Sequence, residues 1–248
     1  MNEHLKNKII CADAFETLKQ IENASIECAI LDLPYNMCTT EKDWDNHVID
    51  LNKLWQELKR ITTPTANIIF FGSQPFTSKV VMSNPKWFRY EIIWQKNIHS
   101  NPGNAKKHHL KTHENILVFY KKFGTYNPQG LIELDKPVLK SNSKKNRRIK
   151  HLNGINEFYY QTQTNYPKSV QQFNVERGKH GSQKSVKLLE YLIETFSNER
   201  ETILDITAGS FSLAVAAQNT NRDWICCERE QEFCDVGKER FVVGQIIL

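Results

Sequence analysis

The tetrapeptide Asp32-Leu33-Pro34-Tyr35 directly follows the apolar run of residues 28–31, which predicts a buried strand. In an open α/β sheet, ligands bind beyond the carboxyl ends of the strands, so these four residues are expected in an active site. The Asp32 carboxylate and the Leu33 carbonyl can each accept an N–H of a planar amine, which turns the nitrogen lone pair toward an electrophile. Pro34 stiffens the turn, and Tyr35 offers a ring for an unstacked base. An ordinary turn after a strand has the same pattern.

A second group of residues predicts a nucleotide-type site near the other end of the chain. Residues 202–210 predict a short strand and a glycine turn, followed by a helix over residues 211–218. Backbone N–H groups at a helix start favour an anion, and Gly209 lets a ligand approach the backbone. Glu228 ends a further strand about 20 residues beyond Gly209, where an acid can accept both ribose hydroxyls. A βαβ unit without a ligand remains the alternative.

Taken together, these segments resemble the permuted, β-type amino-methyltransferases of DNA, which use S-adenosylmethionine. That family carries an Asp-Pro-Pro-Tyr motif near its amino terminus and its cofactor motif near its carboxyl terminus, which is the order found here. Further matching segments are residues 11–15, 71–76, 113–120 and 180–185. The resemblance implies an α/β fold with a doubly wound, Rossmann-like sheet, a circularly permuted motif order and an inserted target-recognition region.

The resemblance also implies a role for each matching residue. Catalysis is assigned to Asp32, Leu33, Pro34 and Tyr35. In the cofactor site, Asp13 would contact the adenine and Glu228 the ribose, while Lys184, Asp205 and Gly209 would line the methionine end. The full set of implied cofactor residues is Asp13, Ala14, Lys184, Asp205, Thr207, Gly209, Ser210 and Glu228.

Three residues depart from the family pattern or refine it. Leu33 replaces the first proline of the tetrapeptide, a change that leaves its carbonyl in place. Phe211 stands where the family usually has the second glycine of Gly-Ser-Gly, and we expect a bulky side chain there only with a negative φ and a ring that points away. Aspartate rather than serine at position 32 implies, by resemblance, adenine N6 over cytosine N4.

Positive charge is concentrated in one part of the chain. The formal net charge is +5, yet residues 136–151 alone contain seven lysines and arginines and no acid. Such a concentration is typical of a surface that binds a phosphate backbone, although a solvated basic loop has the same composition. The residues predicted to contact DNA, here and in the stretch 96–111, are Lys106, Lys107, Lys111, Lys144, Lys145, Arg147, Arg148 and Lys150.

The chain is predicted to form one methyltransferase domain with an insertion. Residues 1–123 would form the catalytic half and residues 182–248 the cofactor-binding half of that domain. Residues 124–181 lose apolar periodicity, so we interpret them as the target-recognition insertion. The connection over residues 35–46 is expected to close over cofactor and base.

Composition excludes several classes of protein. The six cysteines include no Cys-x-x-Cys pair, so we predict neither a metal site nor a disulfide framework. No signal peptide or membrane-spanning run is recognisable, and a cytoplasmic location is expected. Double-stranded DNA is the expected partner, and the family likeness also allows a homodimer.

The leading hypothesis is a site-specific methyltransferase that moves a methyl group from S-adenosylmethionine to N6 of a flipped adenine. A cytosine N4 or RNA methyltransferase would share the same site. A DNA-binding member of the family with impaired cofactor binding is a further alternative, because of Phe211. A dehydrogenase is disfavoured, since the chain has no Gly-x-Gly-x-x-Gly motif beside its glycine turn.

Overall fold

The computed structural model describes residues 2–35, 49–141, 158–176 and 183–241. The chain divides into two compact units, one formed by Met1–Asn127 with Ser169–Leu248 and the other by Pro128–Lys168. Among the described residues, no helix is long and apolar enough to cross a membrane.

The larger unit is built around a mixed, mostly parallel sheet. Its described strands are β1 (Ile9–Cys11), β2 (Ile26–Leu31), β3 (Thr62–Gly72), β4 (Phe88–Ser100), β5 (Lys111–Phe119), β8 (Val170–Gln172), β9 (Thr202–Asp205) and β10 (Asp223–Glu228). In space they lie in the order β1, β10, β9, β2, β3, β5, β4 and β8. The first five of this order are parallel, β5 is antiparallel to β3 and β4, and β8 is parallel to β4.

The central strand β2 shows how the sheet separates two hydrophobic cores. Cys28 and Ile30 belong to one core, while Ala29 and Leu31 belong to the other. Successive side chains of a strand point to opposite faces, so a strand covered on both faces is apolar throughout, as predicted for this run. The helices that contribute to the cores are α1 (Ala14–Gln20), α2 (Leu51–Ile61), α3 (Phe76–Ser83), α4 (Val186–Phe196), α5 (Ser212–Asn219) and α6 (Gln231–Phe241).

Helix α2 begins three residues later than the apolar pattern from Val48 predicts. Its N-cap is Asp50, whose carboxylate accepts hydrogen bonds from the backbone N–H groups of Asn52 (2.9 Å) and Lys53 (3.2 Å). A capping aspartate satisfies N–H groups that have no partner within the helix, so it fixes the first turn more sharply than periodicity does. The predicted end of α2 at Ile61 is confirmed.

The predicted loop over residues 96–111 is largely strand. β4 continues to Ser100, which pairs with Lys111 at the start of β5, so the connection spans only residues 101–110. The prediction of a loop from residue 96 was wrong because polar side chains on this part of the ladder are exposed and give no apolar pattern.

The smaller unit contains an antiparallel pair, β6 (Ile132–Ser141) and β7 (Phe158–Thr164). Strand β8 lies within the stretch that the sequence assigns to the insertion, yet it pairs with β4 in the larger unit, with Val170 opposite Ile93. The smaller unit is therefore shorter than the predicted insertion of residues 124–181.

Candidate active site

Asp32 is the first residue after β2, at the edge where the parallel strands end. Tyr35 donates its hydroxyl to Asp32 Oδ1 (2.8 Å), and the Lys184 ammonium forms an ion pair with Oδ2. Thr207 Oγ1 donates to the Asp32 carbonyl (3.1 Å), which joins this turn to the one after β9. The carboxylate is thus held by two donors, and because each oxygen has two lone pairs, it retains capacity for a further N–H group.

Two other side chains of the tetrapeptide, Leu33 and Tyr35, are held by packing against distant parts of the chain. The Leu33 side chain is only 2 % exposed and packs in the core on the face that carries α1 and α2. The Tyr35 ring stacks on Phe76 from α3, with ring centroids 5.0 Å apart and an interplanar angle of 26°. Phe76 belongs to one of the segments that match the family, and its contact with Tyr35 could not be inferred from sequence separation.

The predicted cofactor residues after β9 and β10 come together around the glycine turn. Gly209 has a positive φ of 50°, and its N–H donates to Glu228 Oε2 (2.9 Å). Glu228 Oε1 accepts from the N–H groups of Arg229 (2.9 Å) and Glu230 (3.0 Å). A Cβ built on Gly209 would meet no atom within 4 Å, so the turn borders open space.

Asp13 and Ala14 reach the same edge from β1. The Ala12 N–H donates to the Glu228 carbonyl (3.0 Å), which fixes the end of β1 beside the end of β10. Asp13 is the N-cap of α1, and its Oδ1 accepts from the N–H groups of Phe15 (2.8 Å) and Glu16 (3.3 Å). Ala14 begins the helix. Asp13 therefore has a structural role in addition to the cofactor contact that the resemblance implies.

Lys184, whose implied place at the methionine end of the cofactor stays a prediction, lies beside Asp32. Its side chain is 13 % exposed and lies between Asp32 and Glu114, with Nζ 3.6 Å from Glu114 Oε2 and 5.1 Å from the centre of the Phe71 ring. Burial by itself lowers the pKa of Lys184, but the carboxylates of Asp32 and Glu114 outweigh it, so the pKa is raised. Lys184 is therefore a cation beside the tetrapeptide of residues 32–35.

Glu114 is the residue of this cluster for which sequence reasoning gave no role. It lies on β5, and its other oxygen, Oε1, pairs with Lys96 of β4. Burial favours a higher pKa for Glu114, yet the surrounding lysines Lys184, Lys96 and Lys111 lower it. The signal in the sequence that could have indicated a role for Glu114 is its position immediately before the predicted strand of residues 115–120.

Phe211 corrects an expectation about the cofactor turn. Its φ is +58° with ψ 31°, so the expected negative φ was wrong. The side chain is fully buried in the core that carries α4 and α5. Its ring packs so closely against Gly237 of α6 that a Cβ there would lie 2.4 Å from Phe211 Cδ2. Burial of a large aromatic side chain offsets the cost of a left-handed backbone.

Helix α6 also fixes the residue before Phe211. Arg240 donates one guanidinium N–H to the Ser210 carbonyl (2.8 Å) and another bond to Ser212 Oγ (3.0 Å). Ser210 Oγ lies 3.4 Å from Gln183 Oε1, so the segment that carries Lys184 contacts the glycine turn. The predicted catalytic and cofactor residues therefore share one edge of the sheet.

The predicted DNA-contacting lysines have different environments. Lys106 and Lys107 are exposed in the connection between β4 and β5. Lys111 is half-buried and donates to Ser73 Oγ, and burial lowers its pKa, while its contact with DNA stays a prediction. The predictions that lie outside the described residues are Lys144, Lys145, Arg147, Arg148, Lys150 and the closing loop from residue 36 onward.

Metal chemistry was not predicted from the sequence. Within the described ranges, no group of three or more histidine, cysteine or acidic side chains is arranged to hold a metal ion.

The buried carboxyl of Asp205 makes the folding stability of the protein depend on pH. It ends β9, is buried, and accepts the Thr207 N–H at Oδ1 (3.0 Å). Burial raises its pKa to about 7, with smaller contributions from the charges of Asp32 and Glu228. A carboxyl whose pKa is higher in the folded state than in the unfolded state binds its proton more tightly when folded, so stability falls as pH rises from about 4 to about 7.

We therefore expect Asp205→Asn to raise the melting temperature at pH 8 by at least about 2–4 °C, the shift for about 1 kcal/mol in a chain of this size. The gain should shrink toward pH 5, where Asp205 is protonated. The exposed Asp235, whose pKa is lowered by Lys238 and Gln231, is the matched control, because Asp235→Asn should give no gain at pH 8. Thermal unfolding from pH 5 to 8 measures both, and an equal effect of Asp205→Asn at all pH values would contradict the prediction.

The fold and this clustered edge define an α/β protein with a glycine turn of the nucleotide-binding type beside the Asp32 carboxylate. The sequence model of the N6_N4_Mtase family, described as DNA methylase, matches residues 26–239. The chain therefore belongs to this DNA methylase family, and the predicted resemblance is confirmed at that level. Membership of the permuted β-type class stays a prediction.

Individual proteins similar to this chain are named as methyltransferases. The chain is 26 % identical to the type II methyltransferase M1.MboII of Moraxella bovis, over 97 % of both chains. It is 26 % identical to the DNA adenine methyltransferase YhdJ of Escherichia coli K12, over 95 % of this chain and 83 % of YhdJ. The crystal structure of M1.HpyAVI in complex with SAM superposes with a TM-score of 0.64 at 23 % identity, covering 94 % of this chain and 98 % of that one. This likeness confirms the predicted methyltransferase fold.

Proposed function

We propose that this DNA methylase transfers a methyl group from S-adenosylmethionine to N6 of an adenine in double-stranded DNA. The observation that carries the proposal is the position of Asp32, whose carbonyl is bound by Thr207 of the turn after β9 and whose carboxylate is oriented by Tyr35 and Lys184. An acceptor is thereby held at the border of a nucleotide-type turn. Positioning of this kind is what a weakly nucleophilic exocyclic amine requires.

In this mechanism Asp32 orients the amine and does not attack. Its carboxylate accepts one N–H of the base and the Leu33 carbonyl accepts the other, so the nitrogen becomes tetrahedral and its lone pair is exposed. The cofactor supplies a sulfonium-bound methyl group, which is already electrophilic. Asp32 can then accept the proton that the methylated nitrogen must lose. Tyr35, stacked on Phe76, provides the face for a base rotated out of the duplex.

The residues around the glycine turn fit the cofactor. The buried carboxyl of Asp205 suits the cationic amino group at the methionine end, and Gly209 faces open space into which a ligand can approach. Glu228 closes the turn from β10 and is the proposed ribose acceptor. The remaining residues of the proposed cofactor site are Asp13, Ala14, Lys184, Thr207 and Ser210. A direct test is calorimetric titration with S-adenosylmethionine, which separates this proposal from a DNA-binding protein that has lost cofactor affinity.

Two considerations favour adenine as the target. Aspartate at position 32 is the residue that the resemblance associates with N6 transfer, and the relative YhdJ is named a DNA adenine methyltransferase. Cytosine N4 is the second candidate, since the name of the matching family includes both N6 and N4. An exocyclic amine flanked by a ring nitrogen is common to both bases, so Asp32 can orient either.

Contacts with DNA are proposed for two exposed regions. Lys106 and Lys107 in the connection after β4 can pair with phosphates. We propose the smaller unit as the target-recognition region, because its strand β7 presents exposed aromatic side chains beside amide and hydroxyl side chains. In β7 these exposed aromatic residues are Phe158, Tyr159 and Tyr160.

The proposal is tested by mass-spectrometric nucleoside analysis of duplex DNA incubated with the protein and S-adenosylmethionine. We expect N6-methyladenine to accumulate, and a cytosine N4 enzyme would instead yield N4-methylcytosine. The same assay with single-stranded RNA tests the remaining substrate class. Cofactor binding without any methylated nucleoside from duplex DNA would contradict the proposed reaction.

A further inference from the structure

Glu114 carries the one buried carboxylate oxygen, among the described residues, that has no hydrogen-bond partner. Its Oε1 is paired with Lys96, while Oε2 lies 3.6 Å from Lys184 Nζ, which is an ion-pair distance longer than a hydrogen bond. A buried carboxylate oxygen left without a donor costs free energy, so its persistence calls for a role.

Lys184 has one hydrogen-bonded anionic partner, Asp32, and a second anion, Glu114, at a longer ion-pair distance. In this structure its ammonium is bound to Asp32 Oδ2, which is the group that must accept the incoming amine. The Phe71 ring lies under the ammonium and holds it in the space between the two acids. A movement of about 1 Å toward Glu114 would replace the bond to Asp32 with one to Oε2, a shift within the ordinary freedom of a lysine side chain.

We propose that Glu114 is a positioning residue that receives the Lys184 ammonium when the target amine binds Asp32. This role rests on the proposed methyl transfer to a base. When Glu114 is charged, the Lys184 ammonium can leave Asp32 without becoming an unpaired buried cation, and one Asp32 oxygen is then free to accept the amine. When the charge of Glu114 is absent, Asp32 is the only anion in contact with Lys184, and the ammonium competes with the base for the same carboxylate.

The neighbouring charges support this two-position arrangement. Lys96 stays on Glu114 Oε1 and is held over the Trp94 ring at 4.4 Å, so it does not occupy Oε2. Lys111 donates to Ser73 and is directed to a different partner. The charge of Lys184 also lowers the pKa of the buried Asp205, yet the ion pairs that Lys184 forms in the described part of the chain are with Asp32 and Glu114. Oε2 is therefore available to Lys184 alone among the described lysines.

The first test is a thermal double-mutant cycle on the cofactor-free protein. Asp32→Asn and Glu114→Gln each leave Lys184 one anionic partner, so each should lower the melting temperature by only a few degrees. The variant with both changes leaves the buried ammonium without an anion. Its loss in melting temperature should exceed the sum of the two single losses by at least about 5 °C. Adding Lys184→Met should remove that excess. Additive losses in the double variant would overturn the proposal.

The second test measures turnover. Glu114→Gln should lower kcat/KM for DNA by about 10- to 100-fold while the Kd for S-adenosylmethionine changes by less than about threefold. Glu91→Gln is the matched control, because Glu91 is an exposed acid on β4 whose contact is Asn115. Wild-type turnover in Glu114→Gln, or a parallel loss of cofactor binding and turnover, would overturn the proposal.

The two tests separate this inference from the proposed function. If the wild-type protein methylates no base, the proposed reaction fails, yet the thermal cycle still decides whether either carboxylate can serve as the anion that buried Lys184 requires. If the wild-type protein methylates DNA and the thermal cycle is additive, the reaction stands and the role of Glu114 falls.

Discussion

Asp32→Ala is expected to reduce methyl transfer by at least about 10³-fold while the Kd for S-adenosylmethionine changes by less than about threefold. The substitution removes the proposed acceptor of the target amine, which would also stabilise the positive charge that develops on the nitrogen, mainly in the transition state. The proposed cofactor contacts, at Asp205, Gly209 and Glu228, do not use this carboxylate. Nucleoside mass spectrometry gives the turnover, and calorimetry gives the affinity.

Asp235→Ala is the control for the loss of a negative charge by itself. Asp235 is exposed on α6, and its side-chain hydrogen bonds are with Gln231 and Lys238 of the same helix. That variant should retain wild-type turnover. The assigned role of Asp32 would be wrong if its alanine variant lost cofactor affinity to the same extent as turnover, because the residue would then serve the ground state of the complex.

Phe211→Ala should lower the free energy of unfolding by about 3–5 kcal/mol, the range for truncating a fully buried phenylalanine. Phe211→Gly removes the same ring, but glycine adopts a positive φ without the Cβ penalty that alanine retains. The glycine variant should therefore be more stable than the alanine variant by about 1 kcal/mol. Urea unfolding of the two variants measures the difference.

The matched position is Phe70, which is equally buried but lies within β3. There the order should reverse, with Phe70→Gly less stable than Phe70→Ala by about 0.5–1 kcal/mol, because glycine loses more conformational freedom in a strand. If Phe211→Ala proved as stable as Phe211→Gly or more stable, as expected for the pair of variants at Phe70, the left-handed backbone of Phe211 would contribute no measurable strain.

Phe211 also illustrates where inference from the sequence stops. Its position in the motif predicts a constrained turn, yet the sign of φ depends on whether burial of the ring compensates the strain. That compensation comes from Gly237 on α6, which leaves space for the ring. A contact between residues far apart in the chain has no local signature, so only the tertiary structure gives it.

The sequence by itself predicted the strand that precedes Asp32, the glycine turn and the acid that ends β10. Apolar runs and turn residues are local signals, and parallel strands bring their carboxyl ends to a common edge. The confirmed family and fold follow from these features. The sequence also placed Lys184 and Glu114 in matching segments, without their relation to each other.

Only the tertiary structure decided how the charges of this edge are paired. Lys184 follows the smaller unit in the chain, Glu114 lies on β5, and Asp32 follows β2, so their contacts depend on strand order and on side-chain direction. Burial and neighbouring charges then set the pKa values at this edge: burial raises the pKa of Asp205, whereas the nearby carboxylates outweigh burial and raise the pKa of Lys184. Local sequence determines which residues reach the edge of the sheet, whereas packing determines which of them contact and with what charge, because desolvation and distance exist only in the folded chain.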